Sequence, residues 1–120
     1  MDYFHGRATS LKEAFPEPFI THALAVKANS MRGVLLEAKN LGLGGECASL
    51  QEAKHCLSLG NYPYNIIAKN NNLKYKGFAP EKVIYDSPVK TPLEVKEAID
   101  LGFHMNLDNE REVFVILLTY

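Results

Sequence analysis

The sequence predicts one α/β domain built on a parallel sheet, because short apolar segments alternate with helices of about ten residues. Three of these helices end at a Leu-Gly pair, which marks equivalent corners of a repeated unit. A chain of 120 residues is long enough for a single domain with a modest core. The four predicted strands are residues 24–29, 43–48, 82–87 and 103–108.

A helix is predicted after each strand, and capping signals place two of the helix starts. Ser49 with Glu52 has the spacing of a capping box, and so does Thr91 with Glu94. In such a box the first side chain and the third helical residue satisfy each other's backbone N–H groups. The predicted helices are residues 31–41, 50–59 and 92–101, and one more begins at Asn109.

The two ends of the chain and one internal segment depart from the repeat. Ser10 with Glu13 is a third capping box, which predicts a short helix within an N-terminal arm at 1–20. The tail, 113–120, has no polar face, so it is either a strand or a helix that is buried against another surface. Residues 61–80, rich in Asn, Tyr and Lys, are predicted to be an insertion with an exposed loop.

Composition excludes several classes of function. The net charge is −1 and Lys and Arg are dispersed, which argues against nucleic-acid binding. No apolar run reaches the roughly 18 residues of a membrane span, and the first residues lack the apolar core of a signal peptide. Cys47 and Cys56 match no zinc or redox motif and are predicted to be reduced thiols. These features predict a cytoplasmic protein without a metal. Four histidines show no metal-ligand spacing: His5, His22, His55 and His104.

Each predicted strand ends in polar residues. The carboxyl ends of parallel strands meet at one edge of the sheet, which is where such folds carry their chemistry. Lys27 lies near the end of the first strand and Glu46 lies near the end of the second. Asp86 and Ser87 end the third strand, and Asp108 and Asn109 end the fourth.

Lys27 is the most informative of these residues, since it is the only charged residue in 23–28, a segment that reads as buried. Burial lowers the pKa of a lysine, and the neutral amine condenses with carbonyl compounds, pyridoxal phosphate among them. The alternative is a lysine whose stem packs while its ammonium group reaches solvent, which is the commoner arrangement. Glu46 and Asp108 can equally cap the helices that follow them, and 86–88 can be a plain turn.

The segment AVKAN at 25–29 resembles the first barrel strand of the fold-type III pyridoxal-phosphate decarboxylases, which act on diaminopimelate, ornithine or arginine. Residues 35–60 are similar to the family's second strand and helix, and 82–113 to its third and fourth strands. The resemblance implies the first half, about four βα units, of an alanine-racemase-like TIM (β/α)8 barrel. Residues 21–120 would form this partial barrel, with 61–80 as its insertion and without the family's C-terminal β-domain.

The resemblance also implies site residues and a cofactor. Lys27 would be the catalytic lysine that forms a Schiff base with pyridoxal 5'-phosphate. Ala25 and Asn29 flank it as they do in the family. Glu46 stands near the cofactor ring, where the family usually has Asp. These four are the expected cofactor-binding residues, and no metal ligand is expected.

Two further residues match the family. Lys90, in SPVKT, matches the lysine of the corner after the third strand. Asp108 matches the acid that closes the fourth strand. The expected reaction is decarboxylation of a small diamino or basic amino acid, with diaminopimelate as first choice, and full-length relatives are expected to be homodimers.

Because a whole barrel needs about 250 residues, the chain alone is expected to be inactive. Two alternatives remain open. One is a non-catalytic pyridoxal-phosphate-binding or regulatory paralogue, and the other is a cofactor-free α/β fragment that self-associates.

Overall fold

The computed structural model describes residues 2–59 and 77–119. The strands run in parallel and in sequence order across one sheet, β1-β2-β3-β4, which confirms the predicted α/β class. The strands are β1 (Ala23–Ala25), β2 (Gly44–Cys47), β3 (Val83–Tyr85) and β4 (His104–Met105). The helices are α1 (Asp2–Ala14), α2 (Arg32–Asn40), α3 (Leu50–Ser58), α4 (Pro92–Asp100) and α5 (Glu110–Thr119).

The register of the sheet aligns the ends of the strands. Ala25 of β1 is the partner of Glu46 in β2, which in turn is the partner of Ile84 in β3. Ile84 pairs with His104 of β4. The carboxyl ends of the four strands therefore lie along one edge of the sheet, here called the rim.

All four strands are shorter than predicted. The first was expected over 24–29, but β1 ends at Ala25 and residues Val26–Ala28 form a 3-10 turn. Pairing continues past the other strand ends only through single hydrogen bonds. Asp86 N donates to Cys47 O at 2.9 Å, and Asn106 N donates to Tyr85 O at 3.2 Å. The polar residues of the rim thus lie in turns beyond the strands, except Glu46.

The predicted helix starts at Ser49 and Thr91 are confirmed. Thr91 and Glu94 form a complete capping box, with Thr91 Oγ1 accepting from Glu94 N and the Glu94 carboxylate accepting from Thr91 N. Ser49 Oγ accepts from Glu52 N at 3.2 Å. The Glu52 carboxylate, however, accepts from Ala48 N at 2.7 Å, one residue before the expected partner.

Glycine ends the helices α2 and α4 as predicted. Gly42 has φ = 76° and Gly102 has φ = 78°, in the left-handed region where a side chain is strained. At the end of α3, Leu59 itself adopts φ = 45° and its carbonyl accepts from Arg32 Nε at 2.7 Å. Gly60, the predicted end of this helix, lies outside the described residues.

The two ends of the chain differ from prediction. The helix α1 begins at Asp2, not at Ser10, so the proposed capping box lies inside a longer helix. The tail is the helix α5, which rules out the strand alternative. Its side chains Phe114, Leu117 and Leu118 are 59%, 70% and 86% exposed, so the expected burial is not found within the described residues. Most of the predicted insertion, 61–76, also lies outside them.

The core lies between the sheet and the helices α2, α3 and α4. Each helix contributes an apolar side chain that is almost completely buried, among them Leu35, Leu57 and Val95. The sheet contributes Val83 and Tyr85, and the remaining large buried side chains include Phe78, Leu59 and Val26. This packing fixes the sheet, and with it the positions of the rim residues. Over the described ranges, no helix has the length and apolar character needed to cross a membrane.

Candidate cofactor-binding site

Lys27 lies on the surface of the rim. The strand β1 stops at Ala25, and Val26 turns inward and is completely buried. Lys27 follows in the 3-10 turn and points outward, so its side chain is exposed. Of the two alternatives left open for Lys27, the structure agrees with the one in which the ammonium group reaches solvent. Its apolar neighbours mark the end of a strand and a turn, in which Val26 is buried while Lys27 and Ala28 are exposed.

The turn that carries Lys27 is held by its own backbone and by Asn29. Asn29 N donates to Val26 O at 3.1 Å, which closes the turn. Asn29 Oδ1 accepts from Met31 N at 3.1 Å, which leads the chain into α2. Among the residues that the structure describes, none forms a hydrogen bond or an ion pair with Lys27. A primary amine on a fixed backbone is thus accessible at this corner of the rim.

The other expected site residues lie close to this corner. Ala25 ends β1 two residues before Lys27, and Glu46 is its partner on the neighbouring strand. Both are half-buried. Glu46 does not cap α3, since Ser49 and Glu52 satisfy the backbone N–H groups at that helix start. The structure therefore places an accessible amine just beyond the end of β1 and a carboxylate on the adjacent strand β2, and it leaves the capping alternative for Glu46 without support.

The buried lysine of the rim is Lys90, in the turn between β3 and α4. Its side chain is 0% exposed. The Nζ atom donates to Ser87 O at 2.6 Å, to Asp108 Oδ2 at 2.8 Å and to Glu112 Oε2 at 3.0 Å. The ammonium group also lies 5.9 Å from the centre of the Tyr85 ring. All three protons of this ammonium group are used within the protein.

The charge of Lys90 is stabilised rather than suppressed. Burial by itself lowers the pKa of the Lys90 ammonium group, but the hydrogen bonds that it donates to Asp108 and Glu112 outweigh burial and raise its pKa above the ordinary value. A lysine that remains protonated and fully hydrogen-bonded is not a nucleophile. Lys90 therefore joins two turns of the rim, and it is unsuited to form a Schiff base.

Glu112 is the residue of this cluster that sequence reasoning missed. It is 4% exposed, and its carboxylate accepts from Asp108 N and Asn109 Nδ2 as well as from Lys90. Asn109 Oδ1 in turn accepts from Glu112 N, which starts α5. A signal existed, since Asn109 and Glu112 have the spacing of a cap and its third helical residue.

Comparison with known proteins identifies the family. Residues 2–76 match the family described as "Pyridoxal-dependent decarboxylase, pyridoxal binding domain". This match spans more than half of the chain. The chain belongs to this family. The family resemblance is thereby confirmed. The matched residues include AVKAN and the block at 35–60, and they correspond to the N-terminal part of the family's proteins.

Two relatives of this decarboxylase-family chain differ in their stated function. A diaminopimelate decarboxylase from Campylobacter jejuni is 29% identical over 116 residues, which cover 96% of this chain and 25% of that enzyme. Antizyme inhibitor 2 from Xenopus laevis is 32% identical over 97 residues, which cover 80% of this chain and 18% of that protein. The chain thus spans about a quarter or less of the length of the relatives it matches.

Solved structures show the fold. Diaminopimelate decarboxylase from Helicobacter pylori, in complex with L-lysine, superimposes with a TM-score of 0.65 at 23% identity, over 93% of this chain and 25% of that one. A protein from Aquifex aeolicus, AQ1208, superimposes with a TM-score of 0.61 at 24% identity, over 95% of this chain and 24% of that one. The family chain has the fold of the first half of an α/β barrel, as predicted.

The residues of the rim fit the cofactor for which the family's domain is named. Pyridoxal phosphate carries an aldehyde that needs an accessible amine, and Lys27 offers one. Its ring and imine carry positive charge when protonated, and the half-buried Glu46 supplies a carboxylate on the next strand. Lys90 offers no competing amine, because its protons are taken up by Ser87, Asp108 and Glu112.

Proposed function

We propose that this chain carries the cofactor-holding corner of a pyridoxal-phosphate-dependent amino-acid decarboxylase. The observation that carries the proposal is the exposed amine of Lys27, which stands in a closed turn directly after β1 in a chain matched by the pyridoxal binding domain. Lys27 is the catalytic residue and would hold the aldehyde of the cofactor. When bound, the cofactor would accept the electron pair released as a substrate carboxylate leaves as carbon dioxide.

The neighbours of Lys27 would bind the cofactor and orient Lys27 towards it. Glu46 would place a negative charge beside the cofactor ring, where it favours the protonated form. Ala25 is small and leaves space at the end of β1 for a ring to approach. Asn29 would fix the direction of the Lys27 turn through its hydrogen bond to Met31 N.

The substrate class proposed is a diamino or basic amino acid, with diaminopimelate first. The Campylobacter relative, named as a diaminopimelate decarboxylase, supports this choice. Because the chain spans about a quarter of that enzyme, the chain by itself would bind the cofactor weakly and release no carbon dioxide. The homodimer expected of full-length relatives is proposed for a full-length protein only. A decarboxylation rate measured with the purified 120-residue chain would contradict the claim of inactivity.

The test is covalent trapping of the cofactor on Lys27. The purified chain is mixed with pyridoxal phosphate, its absorbance spectrum is recorded, and borohydride then fixes any Schiff base for peptide mapping. We expect one labelled peptide, which contains Lys27. Lys27→Ala should abolish the label, whereas Lys96→Ala, which removes an exposed lysine of α4, should keep it. Equal labelling of the chain and of Lys27→Ala would overturn the proposal.

A stability measurement distinguishes loss of the Lys27 amine from unfolding of the variant as the reason for a missing label. Lys27 is exposed, so Lys27→Ala should change the free energy of unfolding by no more than about 0.5 kcal/mol. If the variant unfolds more easily than that, Lys27→Arg serves in its place, since it keeps the charge and cannot form a stable Schiff base.

A second function is favoured by one observation. Antizyme inhibitor 2 is 32% identical to this chain, and its name describes a regulator rather than an enzyme. Binding of the chain to purified antizyme, with a dissociation constant that does not depend on pyridoxal phosphate, would favour a regulatory paralogue. Absence of a label at Lys27 together with a size that grows with concentration would favour the cofactor-free, self-associating alternative.

A further inference from the structure

Two thiols meet between the sheet and α3. Cys47 is the last residue of β2 and Cys56 lies in the middle of α3. Their Sγ atoms are 3.7 Å apart, and both residues are 0% exposed. They are the only two cysteines in the sequence, and both are free. Cys47 directly follows Glu46 in β2, but neither cysteine is among the cofactor-binding residues of the proposed function, so the pair is a separate feature of the molecule.

The surroundings of the pair hold both thiols in contact. A Cβ atom at Gly45 would lie 3.1 Å from Cys56 Sγ, so the glycine leaves the space that this sulfur occupies. Cys47 Sγ lies 3.6 Å from Gly45 O and can donate either to this carbonyl or to Cys56 Sγ. The two sulfurs therefore share one small space above the strand.

The closed fold keeps the Cys47 thiol protonated. The hydrogen bond with Cys56 raises the pKa of the Cys47 thiol, and burial raises it further. The carboxylates of Glu52 and Glu46 add to this effect, because a nearby negative charge disfavours a thiolate. Since the thiolate is the reactive form, reaction at this pair requires α3 to open away from β2.

We propose that Cys47 and Cys56 form a dithiol site that a low-molecular-weight disulfide oxidises to an intramolecular disulfide. A disulfide has a sulfur–sulfur distance of about 2.0 Å, so a contact of 3.7 Å is converted by a further approach of the two sulfurs. The bond would tie the end of β2 to α3. It would thereby restrain the strand that carries Glu46.

The reaction proceeds by two exchanges. The thiolate of one cysteine attacks a sulfur of the reagent, breaks its S–S bond and releases one reagent thiol. The thiolate of the other cysteine then attacks the mixed disulfide, forms the Cys47–Cys56 bond and releases the second reagent thiol. The two protein thiols lose two electrons and two protons in total. The reagent disulfide takes up both electrons and both protons.

The test uses oxidised glutathione and the intact chain. The reduced chain is incubated with excess reagent and quenched in acid. It is then unfolded in denaturant at mildly alkaline pH with excess iodoacetamide, which reacts with thiolates, and weighed by mass spectrometry. We expect a loss of two hydrogen atoms, no alkylation and no glutathione adduct, with a crosslinked peptide joining Cys47 and Cys56. Dithiothreitol should restore two alkylated thiols. The oxidised chain should also have a higher melting temperature than the reduced chain.

Single-cysteine variants are the matched controls. Cys47→Ala and Cys56→Ala each leave one buried thiol, which should end either alkylated or as a glutathione adduct and never lose two hydrogen atoms. Three results for the original chain would overturn the proposal: full alkylation, a stable glutathione adduct, or a disulfide-linked dimer. If either alanine variant fails to fold, the corresponding serine variant is used, and the result for the original chain decides by itself.

Discussion

Lys90 Nζ and Glu112 Oε2 lie 3.0 Å apart, with side chains that are 0% and 5% exposed. Lys90 stands in the turn before α4, and Glu112 lies in the first turn of α5. The contact therefore connects the turn before α4 to the start of α5 at the rim. Removal of one partner from such a buried ion pair lowers the free energy of unfolding strongly, because the remaining charge is then buried without compensation.

Removal of the Lys90 charge should destabilise the chain. Lys90→Met leaves the Glu112 carboxylate buried without its cation, so we expect the free energy of unfolding to fall by about 3–5 kcal/mol. Urea unfolding followed by circular dichroism measures the change. Lys96→Met is the control, since Lys96 pairs with Asp100 at 2.8 Å where both side chains are 50% exposed. Its effect should stay below about 1 kcal/mol, and equal effects of the two substitutions would contradict the prediction.

The same pair should make stability sensitive to alkaline pH. The pKa of Lys90 is raised above its ordinary value of 10.5, so the folded chain binds more protons than the unfolded chain above this pH. The stabilisation is therefore complete below pH 10.5 and is lost as the pH rises through the folded-state pKa. We expect the difference in free energy of unfolding between the original chain and Lys90→Met to shrink over this range.

Urea unfolding at a series of alkaline pH values tests this expectation. The pKa of Tyr85, which lies beside Lys90, is also raised by burial and acts in the same direction. Tyr85 is present in both proteins, so the difference between them reports mainly on Lys90. A difference that stays constant from neutral to strongly alkaline pH would show that Lys90 is not the group that titrates.

The capping box of α4 should contribute measurably to the free energy of unfolding. Thr91→Ala removes the oxygen that accepts from Glu94 N, and we expect a loss of about 0.5–2 kcal/mol in the free energy of unfolding. Thr91→Ser keeps the hydroxyl group and should retain most of the stability. Ser10→Ala is a second control, because Ser10 lies inside α1 and should change stability by less than about 0.5 kcal/mol. A loss with Ser10→Ala as large as with Thr91→Ala would count against the assigned helix starts.

Two glycine substitutions should change the stability of the chain in opposite directions. Gly42 has φ = 76°, so Gly42→Ala forces a residue with a side chain into a strained conformation. This substitution should lower the free energy of unfolding by about 1–2 kcal/mol. Gly33 lies within α2, and a Cβ atom there would meet nothing within 4 Å. Gly33→Ala should therefore stabilise the chain by about 0.5–1 kcal/mol. Melting temperatures of the two variants give the signs directly. A stabilising Gly42→Ala would contradict the assignment of the end of α2, and a destabilising Gly33→Ala would contradict the open space found at Gly33.

Features with local signals could be predicted from the sequence. Thr91 with Glu94 marks a helix start because the two groups bond to each other's backbone within one turn. Gly42 marks a helix end because a single residue must adopt positive φ. The parallel order of the strands followed from their alternation with helices, which does not depend on where each strand stops.

Burial of the two rim lysines could not be predicted in the same way. Lys27 sits among apolar residues but falls on the outer side of a turn, since the strand stops where its pairing with β2 stops. Lys90 sits in a polar corner between two prolines, but its side chain is completely buried. Its burial depends on Glu112, 22 residues further along, and no local pattern carries that information. Lys27 as the cofactor lysine remains a prediction.

The sequential order of the strands has a consequence for how the chain folds. Within 2–59 and 77–119, each strand pairs only with its neighbours in sequence, so every step of sheet growth closes one loop between consecutive units. The step from β2 to β3 spans about twice as many residues as the other two, and loop-closure entropy rises with the logarithm of that span. This rise amounts to only about 0.6 kcal/mol per doubling. Residues could therefore be added to or removed from this connection with little effect on the free energy of unfolding.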